Sequence, residues 1–388
     1  MKLAILSDFH FGYPRFYEDS FTQASEAMRI ACERADALLI PGDIFDSRTP
    51  ALDVIERSIN VFSIPKEKDW RARITGREGY APVIVIHGTH ERRSRDFTNP
   101  VHVLEAAGLA IDAHKEPVVI ELDGERVAVH GLSGVPEYLA KAAIEKRGYK
   151  PLKGAFNIFM FHQSLRELLP DEEAMGIEDL PEVFDLYVCG HMHKNIERQV
   201  GKTKLLIPGS TVLTQMKKDE EASKGLYLYD TRAAKASFVP INTRPFFYRE
   251  LMLRGASLAE ARRACEDELK RLLDGSEGQK PIVRLKLKGT LAKGLSSQNL
   301  VIDLEELLES KAFVTIVKEL EDMEGEKMAL IRDIREKKIS VKELGLRMLV
   351  KRLSEKGMKT ENVEELFDTL TDPKGADKAF ERLRALPD

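Results

Sequence analysis

Short apolar runs recur along the chain from residue 1 to about 240, each bounded by turn or charged residues and separated by stretches of helical period. KLAILSD, ALLIPGD and VIVIHG alternate with helical spacing near 20–35 and 51–63, which predicts strands joined by helical crossovers. Farther on, PVVIEL and RVAVHGL flank the turn residues Asp123 and Gly124, and FNIFMFH, LYVCGH, KLLIPGS and GLYLYD follow. That density of strands predicts two stacked sheets in an α/β unit. The segment KEKDWRARITGREGYAP, 66–82, has no period and reads as an exposed basic loop.

After PFFYRELML the pattern changes to strand, helix (257–273), a GSEGQKP linker, the strand IVRLKLKG, a second linker, then a helix and a strand through VTIV at 314–317. This predicts a small separate α/β unit. Only helical periodicity remains from about 323 onward. The predicted division is therefore 1–240, 241–320, a helical linker at 321–339 and a helical C-terminal region at 340–388. In that last region Val341, Leu344 and Met348 lie on one line of a helix and Leu346, Val350 and Leu353 on another, a stripe wider than one core-facing surface needs. A helical subdomain packed on its own body and a helix pair docked on another protein both fit this pattern.

A chain of 388 residues suits two or three units, and 43% hydrophobic with 32% charged residues is ordinary for a soluble protein. The net charge of −4 advertises no polyanion as a partner of the whole surface, so any contact with nucleic acid has to be local or metal-assisted. Cys32, Cys189 and Cys265 lie far apart without CxxC spacing, which argues against a disulfide framework or a zinc knuckle and fits a reducing cytoplasm. The opening MKLAILSDF is too short for a signal sequence, and no stretch approaches about 18 uninterrupted apolar residues, so no membrane span is expected.

The candidate chemistry sits where the apolar runs stop. SDFH supplies Asp8 and His10, PGD supplies Asp43, GTHE supplies His90, FHQ supplies His162, and GHMH supplies His191 and His193. Ligands gather outside the carboxyl ends of strands in α/β sheets, so these segments can converge although they are far apart in sequence. Asp-x-His and His-x-His put two side chains on one side of an extended segment, a spacing that suits chelation. His87, His102, His114 and His130 read instead as hydrogen-bonded core or surface residues.

The order DFH, GD, GTHE, FHQ, GHMH resembles the calcineurin-like metallophosphoesterases, whose pattern is DxH, GD, GNH[DE], H and GHxH. Within that group FHQ, GHMHK and PGSTVLTQMKKDEEASKGLYLYD resemble the SbcD-type DNA-repair nucleases, the Mre-eleven family in its archaeal form, over about 1–240. The resemblance implies an α/β fold: a two-sheet metallophosphoesterase sandwich flanked by helices at 1–240, a small α/β capping domain at 241–320 and the C-terminal helical segment. It implies two divalent metal ions, one held by Asp8, His10, Asp43 and His193, the other by Asp43, His162, His191 and Thr89, with Asp43 bridging. Carboxylate and imidazole without thiolate suit manganese, iron or zinc, and the resemblance favours manganese. Two such ions about 3.5–4 Å apart would clamp a phosphodiester and activate a water at neutral pH. His90 would be the catalytic residue, beside the scissile phosphate rather than on a metal.

Two positions depart from the family. Thr89 stands where the family has an asparagine whose amide oxygen ligates the second metal; a hydroxyl has less reach, so an unequal pair of sites is expected. Asp46 in GDIFD stands where many relatives carry a histidine used in exonucleolytic cutting. GDIFD with GTHE also resembles protein serine/threonine phosphatases, which makes a phosphomonoesterase the alternative; a weakly active DNA-tethering scaffold is another. Arg92, Arg93 and Arg95 are candidates for holding DNA phosphates, or are an exposed charged helix start. Arg284, Lys286 and Lys288 share one face of a strand and are a weaker candidate of the same kind. The resemblance implies a DNA exonuclease and single-strand endonuclease acting in double-strand-break repair. It would work as a homodimer through helices near 51–63 and 98–107, with the C-terminal helices docked on an SMC-like coiled-coil ATPase of the Rad-fifty type.

Overall fold

Leu3 and Ile5 pack into one apolar cluster while Ala4 and Leu6, their alternating neighbours, pack into another, so this strand is covered on both faces. The same alternation along the other strands builds a layered domain. The computed structural model describes residues 1–93, 97–169, 173–274, 280–292, 294–295, 297–298, 300–302 and 312–321, then the single positions 346, 349, 350, 353, 363 and 367.

In chain order the strands are β1 (Lys2–Ile5), β2 (Ala37–Pro41), β3 (Arg73–Ile74), β4 (Val83–Ile86), β5 (Ile111–Asp112), β6 (Val118–Leu122), β7 (Glu125–Leu132) and β8 (Phe156–Phe161). They continue with β9 (Leu186–Cys189), β10 (Ile196–Val200), β11 (Thr203–Ile207), β12 (Gly225–Asp230), β13 (Lys235–Pro240), β14 (Phe246–Ala256), β15 (Ile282–Leu291) and β16 (Phe313–Glu321). The helices are α1 (Tyr17–Arg34), α2 (Leu52–Ser63), α3 (Pro100–Ala106), α4 (Glu137–Arg147) and α5 (Leu258–Leu273).

One sheet has the order β13-β12-β1-β2-β4-β5 and the second β10-β11-β9-β8-β7-β6-β3. Strands β1, β2, β4 and β5 run parallel, as do β7, β8, β9 and β11, so each sheet brings the carboxyl ends of its central strands to one edge. Between the sheets lie Leu3, Leu39, Ile84 and Ile86 against Val127, Val129, Ile158 and Met160. The outer face of the first sheet packs on α1 and α2 through Met28, Ala31 and Phe62, and that of the second packs on α4 through Ala140 and Ile144. The predicted two-sheet sandwich flanked by helices is the observed one.

The segment at 66–82 is not the exposed loop that its composition suggests. Trp70, Ala72 and Ile74 are buried, and β3 adds to the edge of the second sheet by pairing with β6. Arg71 and Arg73 interrupt the apolar positions and hide a period of two. Lys68 donates to the carbonyls of Cys32 (2.6 Å) and Ala35 (2.8 Å), binding the segment to the end of α1.

The chain divides into two units. The first takes in Met1–Arg249 with the described residues of 272–284 and 308–315, and the second takes in Glu250–Arg271 with the described residues of 285–307 and from 316 onward. The first thus runs past residue 240, where Arg244 forms an ion pair with Asp19 (2.7 Å) and Tyr248 N–H donates to Glu221 (2.9 Å). In the second, α5 buries Ala261, Cys265 and Leu269 along one stripe, and Ser257 and Glu260 close a capping box at its start. Strands β14, β15 and β16 form the third sheet. The helical linker expected at 321–339 and the docking helices at 340–388 lie outside the described residues, apart from Glu321 and the single positions given above. Cys32, Cys189 and Cys265 are buried thiols. Among the described residues no helix is long and apolar enough to cross a membrane.

Candidate metal centre

The candidate site residues follow β1, β2, β4, β8 and β9, and after β1, β2 and β9 the backbone turns sharply. Asp8 (φ 54°), His10 (φ 48°), Asp43 (φ 46°) and His191 (φ 74°) all adopt the left-handed conformation. For non-glycine residues this costs on the order of 1–3 kcal/mol each and persists only where the surroundings enforce it, which happens most at functional sites. The packing leaves no space for other arrangements. A Cβ on Gly88 would lie 2.1 Å from Asp43 Oδ1, and one on Gly190 would lie 2.1 Å from the Pro41 carbonyl and 2.6 Å from His162 Nδ1.

Two groups of donors result. Asp8, His10 and His193 bring ligand atoms within 4.8 Å of one another, and so do Asp43, His162 and His191. The groups adjoin, because the main-chain N–H of His191 donates to both Asp8 carboxylate oxygens at 3.2 Å. A third grouping, His10, Asp46 and His90, overlaps the first.

Hydrogen bonds behind the imidazoles decide which nitrogen each presents. His162 Nδ1 donates to the Pro41 carbonyl at 2.6 Å, which leaves Nε2 toward Asp43 Oδ2 at 3.1 Å, close but not aligned as a hydrogen bond. His10 Nδ1 is 3.1 Å from Asp46 Oδ1. His193 Nδ1 is 2.5 Å from the Thr214 hydroxyl, which itself donates to Glu220 at 3.1 Å and therefore accepts from the ring. In neutral rings both Nε2 atoms then carry lone pairs, and they face each other at 3.2 Å. A shared proton or a cation satisfies that arrangement, and the flanking carboxylates suit a cation.

The electrostatics agree. Burial, reinforced by Asp43, pushes Asp8 up to about 6 and Glu91 up to about 8. Burial also opposes ionisation of Asp43 and His162, but their mutual attraction outweighs it, holding Asp43 well below the usual carboxylate range and His162 up to about 10. Burial, then the charge of His162, brings His191 down to about 4, and burial, then His10, depresses His193 well below its ordinary value. Both are thus neutral, the ligating form. Divalent cations would replace the His162 proton and relieve the crowded carboxylates, so the residues present fit metal ions.

Thr89 is half-buried between Gly88 and His90, and neither donor triad needs it for closure. His90 is exposed; its Nδ1 bonds the Asp46 main-chain carbonyl at 3.0 Å and lies 3.6 Å from the Asp46 carboxylate. His90, Asp43, His191 and His193 line a cavity of about 230 Å³ whose apolar side is Leu168, Leu169, Met192 and Ile196. Of the predicted phosphate-holding arginines, Arg92 is exposed, whereas Arg93 donates to the Thr98 carbonyl (3.1 Å) and lies 4.8 Å from the Phe97 ring centroid. Arg95 lies outside the described residues. On β15 the proposed basic face is engaged: Arg284 with the carbonyls of Gln215 and Met216, Lys286 with Glu319, and Lys288 with Glu250.

Several supporting residues escaped the sequence reading. Glu91 accepts from the N–H groups of Phe45 (2.8 Å) and Gly88 (2.6 Å), tying the second and third loops together, and Asn99 holds the Glu91 carbonyl (2.9 Å). Buried Lys224 donates to the His193 carbonyl (3.1 Å), Ser210 (2.8 Å) and Glu220 (3.2 Å), fixing the loop after β9. The signal for Glu91 was its place in GTHE; Thr214, Glu220 and Lys224 lie within the PGST segment.

Residues 1–195 match the family described as calcineurin-like phosphoesterase. The DNA double-strand break repair protein Mre11 of Sulfolobus acidocaldarius is 25% identical over 305 residues, covering 75% of this chain and 76% of that protein. The protein of the same name from Thermoplasma acidophilum is 29% identical over 208 residues, 50% of this chain and 52% of that one. The double-strand break repair protein mre-11 of Caenorhabditis elegans is 23% identical over 316 residues, covering 65% of this chain and 43% of that protein. The chain therefore spans about half the length of the last two relatives.

Proposed function

The chain belongs to the calcineurin-like phosphoesterases, a metal-dependent family, and from that premise we propose that it is a DNA nuclease of double-strand-break repair, cutting ends and single strands. The observation that carries this reading is the pair of adjoining donor triads, Asp8, His10, His193 and Asp43, His162, His191. Relatives named for DNA double-strand break repair support DNA as the substrate.

In this reading the first triad holds one divalent cation, the second holds another, Asp43 is shared and the Thr89 hydroxyl is a weak additional donor. Manganese is the proposed metal. The bound cations would supply charge neutralisation on the phosphate oxygens and an activated water. The chain's own residues do the rest. The Asp46 carbonyl accepts from His90 Nδ1 and fixes the ring, so that in its doubly protonated form Nε2 would carry the proton for the leaving oxygen. Leu168, Leu169, Met192 and Ile196 form a wall that limits water on one side of the cavity. Arg92, Arg93 and Arg95 are proposed phosphate contacts, with Arg92 the best placed because its side chain is exposed and Arg93 is already bonded locally. The proposal extends to a cytoplasmic homodimer whose C-terminal region, 340–388, docks on an SMC-like coiled-coil ATPase.

Titrating manganese against cleavage of an end-labelled single strand tests this. Cleavage should saturate with metal, and His90→Ala should abolish it while metal binding persists; wild-type protein that binds DNA without turnover at saturating metal would be a tethering scaffold instead. A second reading, phosphomonoester hydrolysis, draws on the Asp46 carboxylate lying 3.6 Å from His90 in a GDxxD setting. Rapid turnover of a phosphomonoester with DNA left intact would select it.

A further inference from the structure

Away from the metal centre, His114 and Arg147 face one another in a cleft of about 300 Å³ that Lys115, Glu116, His130 and Lys150 also line. His114 lies just beyond β5, and its Nδ1 accepts the main-chain N–H of Ser133 at 3.2 Å. A neutral ring so bonded carries its proton on Nε2. Burial, and after it the Arg147 guanidinium, bring this imidazole down to about 4, so the neutral ring is the form present at pH 7. Its Nε2 nevertheless lies 3.5 Å from a terminal nitrogen of Arg147, a donor set against a donor. Arg147 cannot readily swing away: its other terminal nitrogen donates to the Lys115 carbonyl at 2.6 Å, and the guanidinium lies 5.6 Å from the Tyr149 ring centroid. Each group needs an acceptor that the other cannot supply.

The charges around the pair have the same sense. Lys115 and Lys150 are exposed cations on the cleft and Glu116 is its acid. Asp112, behind it, is already engaged, accepting from the main-chain N–H of His114 at 2.8 Å and lying 3.4 Å from His102. His130 is turned to Asn157 at 3.2 Å. The cleft therefore offers two fixed N–H donors and an excess of positive charge, the combination that recognises a phosphate group. We propose that this cleft is a second phosphate-binding site, in which phosphate oxygens accept jointly from His114 Nε2 and the Arg147 guanidinium while Lys115 and Lys150 balance the charge. Its volume is at the lower end of the range for small-molecule sites and leaves space for more than a bare phosphate. A nucleic-acid phosphate and a phosphorylated small molecule share this chemistry.

The full chain, kept in chelator so that the metal centre takes no part, is titrated with inorganic phosphate and followed by phosphorus NMR line broadening. Wild type should bind, and Arg147→Ala, a change at an exposed side chain, should weaken binding about tenfold or more, as loss of a charge-assisted hydrogen bond does; His114→Ala should weaken it likewise, with melting curves confirming that both variants fold. Competing single-stranded oligonucleotides then identify the source. Displacement with or without a 5′-phosphate indicates backbone phosphodiesters, displacement only by the phosphorylated strand indicates an end, and displacement by neither indicates a small phosphorylated ligand; each supports the site. No binding by wild type, or equal binding by wild type and both folded variants, overturns it. Because no metal is present, that failure leaves the nuclease proposal untouched.

Discussion

Replacing Asp46 by alanine should separate the two metal positions. Its carboxylate is 3.1 Å from Nδ1 of His10, a ring that is 1% exposed, and it fixes both the tautomer and the direction of Nε2. Loss of such an outer partner costs about 10- to 100-fold in metal affinity, which corresponds to about 1.4–2.8 kcal/mol. That penalty falls on the position formed by Asp8, His10 and His193. The position formed by Asp43, His162 and His191 has its own anchor, the Pro41 carbonyl at 2.6 Å from His162, and should keep its affinity. His90 also keeps its bond, since that acceptor is the main-chain carbonyl of residue 46. Competition against a metal-binding dye resolves the two steps: in Asp46→Ala one should shift and the other stay. Asp46→Asn, whose amide oxygen can still accept from Nδ1, should recover most of the loss. If both steps weaken together, or neither moves, Asp46 does not orient His10 in the way described.

Thr89→Asn should supply an amide oxygen beside the second triad and tighten its metal about tenfold or more, by the same scale of ligand-shell effects; an unchanged titration would mean that position 89 does not reach the ion. Gly88→Ala puts a methyl 2.1 Å from Asp43 Oδ1, so it should destabilise the protein by about 1–3 kcal/mol in denaturant melts and weaken both metals; a wild-type melt would refute the tight approach. His162, held up to about 10 by Asp43, stabilises the metal-free fold fully below its ordinary 6.5 and loses that contribution as pH rises toward 10. Glu91, raised to about 8, acts in the same direction up to that pH. In chelator the melting temperature should therefore fall between pH 7 and 10, and manganese loading at pH 8 should release at least about one proton by calorimetry in buffers of different ionisation enthalpy. A flat melting profile with no proton release would remove the Asp43–His162 pair from the account.

What could be read from the chain beforehand was whatever is encoded next to itself. The buried strands β2 and β4 are continuous apolar runs, and Asp8, His10, Asp43, His162, His191 and His193 each follow such a run at once. The residues that hold those candidate ligands were hidden because they act through contacts that the motifs do not show: Thr214 on His193, Lys224 on the loop after β9, and Glu91 on the main-chain N–H of Phe45 in the loop after β2 as well as that of Gly88 in its own loop. Trp70, Ala72 and Ile74 were missed because arginines occupy the alternate positions facing outward. Arg93, read from its charge as a candidate phosphate contact, also has a local role that its charge does not announce, since its guanidinium is bonded to the Thr98 carbonyl and set against Phe97. Left-handed backbone at four candidate ligand residues has no signature in composition; it follows from loops that turn within two residues of β2 and β9 and within five of β1.

Anomalous diffraction from manganese-soaked crystals of the full chain tests the central claim most directly. Two peaks about 3.5–4 Å apart are predicted, the stronger among Asp8, His10 and His193 and the weaker among Asp43, His162 and His191, with the Asp43 carboxylate between them. A lone peak distant from Asp43, or no peak at saturating manganese, would contradict it.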